Sequence, residues 1–188
     1  EEGESVPASD NYGVQVMIDG AGTFRPLQGD ASGNAYSVSI GSTADSCVAI
    51  TPDTNAYAAN DIVGGKLTFL NAFRSLANSG TIQSIIVTNS EVDGIAFDLC
   101  LFDADPTAST VADQGALTVA AADKQKLRGC VEISEAKTAT GGDIYVADNL
   151  GKALDAAGTS FYAVLRTKGA PTWAAAQTVN VCATILQD

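Results

Sequence analysis

Alternating apolar and polar residues recur along this chain and predict short β-strands. The clearest case is residues 96–102, where Phe97, Leu99 and Leu101 share one face of an extended backbone. A two-residue period places alternate side chains on opposite faces of a strand, so one face enters a core. We therefore expect residues 96–102 to form a central strand of the main sheet.

Similar segments recur before and after it at intervals of roughly 10 to 20 residues, with turn residues between them. Their spacing predicts an all-β fold, an antiparallel, jelly-roll-like β-sandwich, with one or two short helices. The buried face of residues 96–102 is expected to pack with Val164 and Ile185 or their neighbours. The segments are residues 46–50, 64–73, 81–89, 130–133, 143–147, 160–167 and 178–186.

Two segments predict short helices. Residues 122–127 (ADKQKL) offer at most two turns, with Asp123 placed to help the first turn begin. Residues 149–158 (NLGKALDAAG) predict a connecting helix that ends at Gly158.

The chain is predicted to divide at about residue 45. Residues 1–45 are rich in turn formers and contain two strand-like islands, residues 13–19 and 35–40. Such short strands bury little by themselves. They are expected to pair with the edge of the main sheet, to reach a neighbouring subunit as an extended arm, or to remain locally disordered. Residues 46–188 are assigned to the sandwich.

Composition excludes several classes of protein. Hydrophobic residues make up 46% of the chain and charged residues 17%, which is typical of a folded domain. The net charge is −12, which argues against nucleic-acid binding because that binding relies on Lys and Arg. The densest basic group is KQKLR, Lys124 to Arg128, and it is expected to be a solvated helix end. No apolar run approaches the roughly 20 residues that cross a bilayer, so no membrane partner is expected.

Catalytic chemistry has few candidate residues. The chain contains no histidine, which excludes Ser-His-Asp and Cys-His arrangements. Asp98 with Asp103 or Asp105 would be the carboxylate pair of a glycosidase, but Asp98 lies in the middle of a predicted strand. We therefore expect no enzyme activity, no catalytic residues and no cofactor.

The acidic turn that follows residue 102 does not match a calcium loop of the EF-hand type. Counting from Asp103, an EF-hand requires glycine at the sixth position and glutamate at the twelfth, where this chain has Ala108 and Gln114. A looser calcium site would use Asp103, Asp105 and Thr107. The carboxylates are instead expected to cap backbone amides of the turn, and no metal site is predicted.

The four cysteines, Cys47, Cys100, Cys130 and Cys182, lie in separate strand-like segments without a CxxC pair. Buried free thiols are therefore favoured over a disulfide, and a zinc site is disfavoured.

Two aromatic residues, Tyr162 and Trp173, could serve as ligand platforms. They are expected to be core and rim residues of the sandwich instead.

Several segments between residues 61 and 188 resemble a family of tailed-bacteriophage virion proteins that are encoded near the capsid genes. The segments are DIVGGKLTF, LFDADPTAST, DKQKLRGCV, GTSFYAVL and the terminal ATILQD. Some members of that family decorate the head. The resemblance implies a structural protein of the capsid exterior that assembles in the host cytoplasm, where thiols stay reduced.

The implied partners are the major capsid protein and further copies of the chain, by analogy as a trimer. Two other roles stay open: a tail, neck or fibre-base protein, and a carbohydrate-binding or host-adhesion module.

Overall fold

The computed structural model of the chain describes residues 42–75, 78–91, 94–134, 136–139 and 141–188, and four short strands before them. The chain divides into two compact units, Glu1–Ile40 and Gly41–Asp188. In the first unit β1 pairs with β2 and β3 with β4, both antiparallel. The other residues before residue 42, and with them the predicted arm, lie outside the described residues. The four strands are β1 (Val16–Ile18), β2 (Phe24–Pro26), β3 (Gln28–Gly29) and β4 (Ala35–Tyr36).

The described residues of the second unit form ten further strands. They are β5 (Thr43–Ile50), β6 (Ile62–Phe69), β7 (Ser79–Asn89), β8 (Phe97–Phe102), β9 (Leu127–Ile133), β10 (Ala136–Ala139), β11 (Gly142–Ala147), β12 (Lys152–Asp155), β13 (Phe161–Thr167) and β14 (Val179–Gln187).

Two antiparallel sheets pack against each other, which confirms the predicted all-β sandwich. The six-stranded sheet has the order β10, β11, β7, β14, β5, and β12 pairs with β7 beyond the end of β11. The four-stranded sheet has the order β6, β13, β8, β9. Strand β8 is therefore an interior strand, as the alternation predicts.

The apolar face of β8 that the sequence alternation predicts to be buried lies in the core between the two sheets. Phe97, Leu99 and Leu101 are fully buried and share one cluster with Ile185 from the opposite sheet. Val164 lies on the other face of its strand, and its neighbours Ala163 and Leu165 take the core positions (both belong to the same cluster).

A second, smaller core covers the outer face of the four-stranded sheet. Cys100, Phe102 and Val164 are fully buried there, although the alternation assigns only one face of β8 to a core. Val111 and Leu117, from the segment between β8 and β9, pack onto this cluster. This segment covers the sheet, so β8 is buried on both faces.

Both predicted helices are wrong. Residues 152–155 form β12, which pairs with β7 and buries Leu154. Asn149 and Gly151 have positive φ angles of 56° and 57°, which an α-helix does not accommodate. Pairing with β7 thus overrides the helix propensity of residues 149–158.

Residues 122–127 do not form the two-turn helix that was predicted. The structure places a single 3₁₀ turn at Ala121–Asp123, and β9 begins at Leu127. Asp123 ends this turn instead of starting it, and the N-terminal cap has no side-chain hydrogen bond.

Candidate functional site

The acidic turn after β8 is neutralised by cations. Nε of Arg128 donates to Oδ2 of Asp103 at 2.6 Å, and Nζ of Lys66 donates to both carboxylate oxygens of Asp105 at 2.7 Å. The expectation that these carboxylates cap turn amides is therefore wrong. The two carboxylates bind separate cations, and among the described residues no group of three or more Asp, Glu or Cys side chains is arranged to hold a metal ion.

Asp123 caps the turn instead. Its carboxylate accepts from the amide of Ala108 at 2.9 Å, from Oγ of Ser109 at 2.7 Å and from Nζ of Lys126 at 2.6 Å. The Lys126 ammonium, followed by the Ser109 hydroxyl, lowers the pKa of this carboxyl below its usual range. Asp123 therefore fastens the segment between β8 and β9 over the outer face of the four-stranded sheet.

Asp98 belongs to a charged ladder across neighbouring strands. Nη2 of Arg166 donates to its Oδ2 at 2.8 Å, and Nζ of Lys168 lies 3.8 Å from Oδ1. Lys168 also lies 3.4 Å from Glu132 on the next strand. The structure thus joins Asp98 to cations and does not pair it with Asp103 or Asp105 as a glycosidase would require.

The basic group at residues 124–128 also has structural contacts. Nζ of Lys126 donates to the carbonyl of Asp105 at 2.6 Å, besides its bond to Asp123. Arg128 donates a hydrogen bond to the carboxylate of Asp103. Two of the three cationic side chains in this group, Lys126 and Arg128, therefore bind acidic residues or backbone of the same chain.

The aromatic side chains of the described residues are mostly buried. Trp173 is 1% exposed, stacks edge-on against Tyr57 with ring centroids 4.8 Å apart, and donates Nε1–H to Asn89 at 3.0 Å. Burial, with the nearby Asp113 carboxylate, raises the pKa of Tyr57, so its hydroxyl stays neutral and donates to Asp113 at 2.9 Å. Tyr162 is half-buried, with Nζ of Lys66 5.5 Å from its ring centre. Trp173 is a core residue, as predicted.

The free-thiol expectation is wrong, because the four cysteines form two disulfides. Cys47 on β5 is bonded to Cys182 on β14, and Cys100 on β8 to Cys130 on β9. Each pair sits directly opposite in its strand register, with Cα–Cα distances of 4.0 and 3.9 Å. Neighbouring strands therefore hold their sulfur atoms within bonding range.

An uncharged surface covers part of the outer face of the six-stranded sheet. Register pairs align Val146, Ile86, Cys182 and Cys47 in one row across β11, β7, β14 and β5. Directly opposed residues share a face, so this row is continuous. We call this row and its neighbour the neutral face; the neighbouring row is Ile144, Thr88, Asn180 and Ala49.

The neutral face contrasts with the rest of a chain whose net charge is −12. Ile86 and Ile144 are 36% and 38% exposed, so apolar atoms of this face meet solvent. The charged side chains that border it are Lys137, opposite Ile144, and Asp45, whose carboxylate accepts from Oγ1 of Thr184 at 2.7 Å. It is the candidate functional site because exposed apolar surface with a polar rim marks sites of protein association.

One signal in the sequence points to this face. The segments that form β7 and β14 carry apolar residues on both faces, for example Ile85 beside Ile86 and Val181 beside Cys182. A strand with one solvated face alternates with polar residues, so two apolar faces indicate a second contact surface.

No known protein-family model matches the chain, and no curated protein matches it. No helix in the described part of the chain has the length and apolar character needed to span a membrane.

Proposed function

We propose that this chain is a structural virion protein that decorates and stabilises the outer surface of a bacteriophage capsid. The resemblance of the motifs between residues 61 and 188 to tailed-bacteriophage virion proteins supports the viral part of this proposal. The neutral face carries the proposal about the molecular role, because it is an uncharged surface with exposed apolar atoms on an otherwise acidic protein. Its partner would be the exterior of the major capsid protein.

The distribution of charge supports this orientation. Ion pairs such as Asp98–Arg166 and Asp103–Arg128 lie on the four-stranded sheet and its covering segment. With the neutral face against the shell, this charged side faces solvent. Charged surface in contact with water favours solubility and discourages non-specific association.

The two disulfides fit an exposed location better than the cytoplasm alone. Cys47 and Cys130 are solvent-exposed, so reductants and oxidants reach both bridges. Disulfides persist in oxidising surroundings, including virion surfaces, and are rare in a reducing cytoplasm. Bridges that form after release from the host would make the mature particle more resistant to unfolding.

Stabilisation of the shell would follow from mass action. A protein that binds the assembled shell and not its separated subunits stabilises the shell by RT ln(1 + [L]/Kd) per site. Many weakly bound copies then resist internal pressure together. No chemistry is needed for this role.

A binding experiment with undecorated particles tests the proposal. Ile86→Lys places a charge at the centre of the neutral face, and Thr107→Lys places the same charge on the exposed turn after β8. We expect the Ile86 variant to lose particle binding while melting like the parent, and the Thr107 variant to bind normally.

Equal binding by both variants would exclude the neutral face as the docking surface. Absence of binding by the parent protein itself would exclude the decoration role.

A further inference from the structure

The outer edge of β5 lacks a strand partner in the described part of the chain. β5 lies at the end of the six-stranded sheet and pairs with β14 only. An unpaired strand edge presents N–H and C=O groups to any extended chain that approaches. The chemistry that matches this edge is another β-strand.

The hydrogen-bond register identifies the groups that point outward. The amide of Gln187 donates to the carbonyl of Ser42, which makes Ser42 and Gln187 a hydrogen-bonded pair. Hydrogen-bonded and non-bonded pairs alternate along antiparallel strands. The residues whose backbone groups face away from β14 are therefore Thr43, Asp45, Cys47 and Ala49.

Two of the other edges, those of β6 and β9, carry features that hinder strand addition. At β6 the amide of Gln114 donates to the carbonyl of Ile62, and the amide of Ile62 donates to the carbonyl of Gly115. At β9 the exposed side chains include Arg128 and Glu132. β5 carries a single charge, Asp45, and Thr184 of β14 binds that carboxylate. The β5 edge is thus long and almost uncharged.

An exposed leucine lies beside the middle of this edge. Oγ of Ser46 donates to the carbonyl of Leu70 at 3.1 Å. The side chain of Leu70 is 65% exposed, more than Ile86, Ile144 or Leu186. An open strand edge and an exposed large apolar side chain together mark an association surface.

We propose that two copies of this chain associate through β5, in antiparallel register about a two-fold axis at Ser46. This register places Thr43 opposite Ala49 and Asp45 opposite Cys47 of the second copy, so every outward N–H and C=O has a partner. A register centred on Asp45 would instead oppose two carboxylates, which is unfavourable. The two Leu70 side chains would flank the axis, and the two six-stranded sheets would become one.

Sedimentation velocity of the full chain over a concentration series tests the pairing. The parent protein is expected to form dimers. Leu70→Lys should raise the dimer Kd by about tenfold or more, since each dimer loses two buried leucines. Thr107→Lys adds the same charge on the exposed turn after β8, outside the β5 edge and Leu70, and should leave the Kd unchanged. A parent protein that is monomeric or trimeric at all concentrations, or a Leu70 variant with an unchanged Kd, would overturn the proposal.

Amide exchange distinguishes a second copy from the chain's own N-terminal segment. If a second copy covers the edge, the amides of Thr43, Asp45, Cys47 and Ala49 lose protection on dilution, whereas those of Ser46 and Val48 stay protected. Protection of the outward amides that does not change with concentration would assign the edge to the same chain. Fast exchange at every concentration would leave the edge unpaired. Either result would contradict the dimer.

This self-association does not depend on capsid binding. Ile86→Lys tests the neutral face and Leu70→Lys tests the edge, so each proposal can fail alone.

Discussion

Reduction of each disulfide separately should destabilise the protein by an amount set by the loop that the bridge closes. Cys47–Cys182 joins residues 135 apart, and Cys100–Cys130 joins residues 30 apart. A cross-link limits the unfolded chain, and the effect grows with the logarithm of loop length. Loop-closure entropy gives about 5 kcal/mol for the first bridge and about 3.6 kcal/mol for the second.

Two variants isolate these contributions. The double substitution Cys100→Ala with Cys130→Ala keeps only the long-range bridge, and Cys47→Ala with Cys182→Ala keeps only the shorter one. Urea unfolding of each variant, with and without a phosphine reductant, compares the same side chains with and without the cross-link. Packing losses at the alanine positions therefore cancel.

The expected loss on reduction is larger for the variant that retains Cys47–Cys182, by about 1.3 kcal/mol. A larger loss for the variant that retains Cys100–Cys130 would refute the loop-closure reasoning. No loss in either variant would mean that the cysteines are not bonded in the folded protein.

Four further predictions concern the sandwich and the N-terminal segment. Leu99→Ala should cost about 2–5 kcal/mol in urea unfolding, because the side chain is fully buried in the main core; a loss below about 1 kcal/mol would contradict that placement. Gly64→Ala should destabilise more than Gly94→Ala, since both glycines have positive φ but an added Cβ meets a neighbouring side chain only at Gly64; equal thermal melts would contradict this. Asp123→Asn should lower stability at pH 7, and the difference from the parent should shrink below about pH 4, because the lowered pKa gives stability that is lost as the carboxylate protonates; a difference that is constant from pH 7 to pH 3 would exclude the charge as its cause. Deletion of residues 1–40 should leave a cooperative melt by calorimetry, because Gly41–Asp188 forms a compact unit, and failure of the truncated chain to fold would place those strands in the core.

Alternation in the sequence predicted the sandwich because burial of a strand face is a local property of the residues along it. Phe97, Leu99 and Leu101 are apolar at every second position, and a single core face explains them. The helix predicted at residues 149–158 is wrong because its conformation depends on a contact that is distant in the sequence. Its Ala, Leu and Lys residues favour a helix in isolation, but pairing with β7 decides its conformation.

The disulfides and ion pairs depend on strand order, which local patterns do not determine. Cys47 and Cys182 meet because β5 and β14 are neighbours in register, although 135 residues separate them. Lys66 likewise binds Asp105, from which it is separated by 39 positions in the sequence. The neutral face could be suspected from its apolar residues, but its continuity required the register of four strands.

The number of copies in a purified virion tests the central claim most directly. Quantitative mass spectrometry of the particles gives this number relative to the major capsid protein. A decoration protein should be present in a small fixed ratio to the capsid subunits, because the symmetry of the shell repeats its binding site. A copy number that instead matches a single tail, neck or fibre assembly would contradict the account.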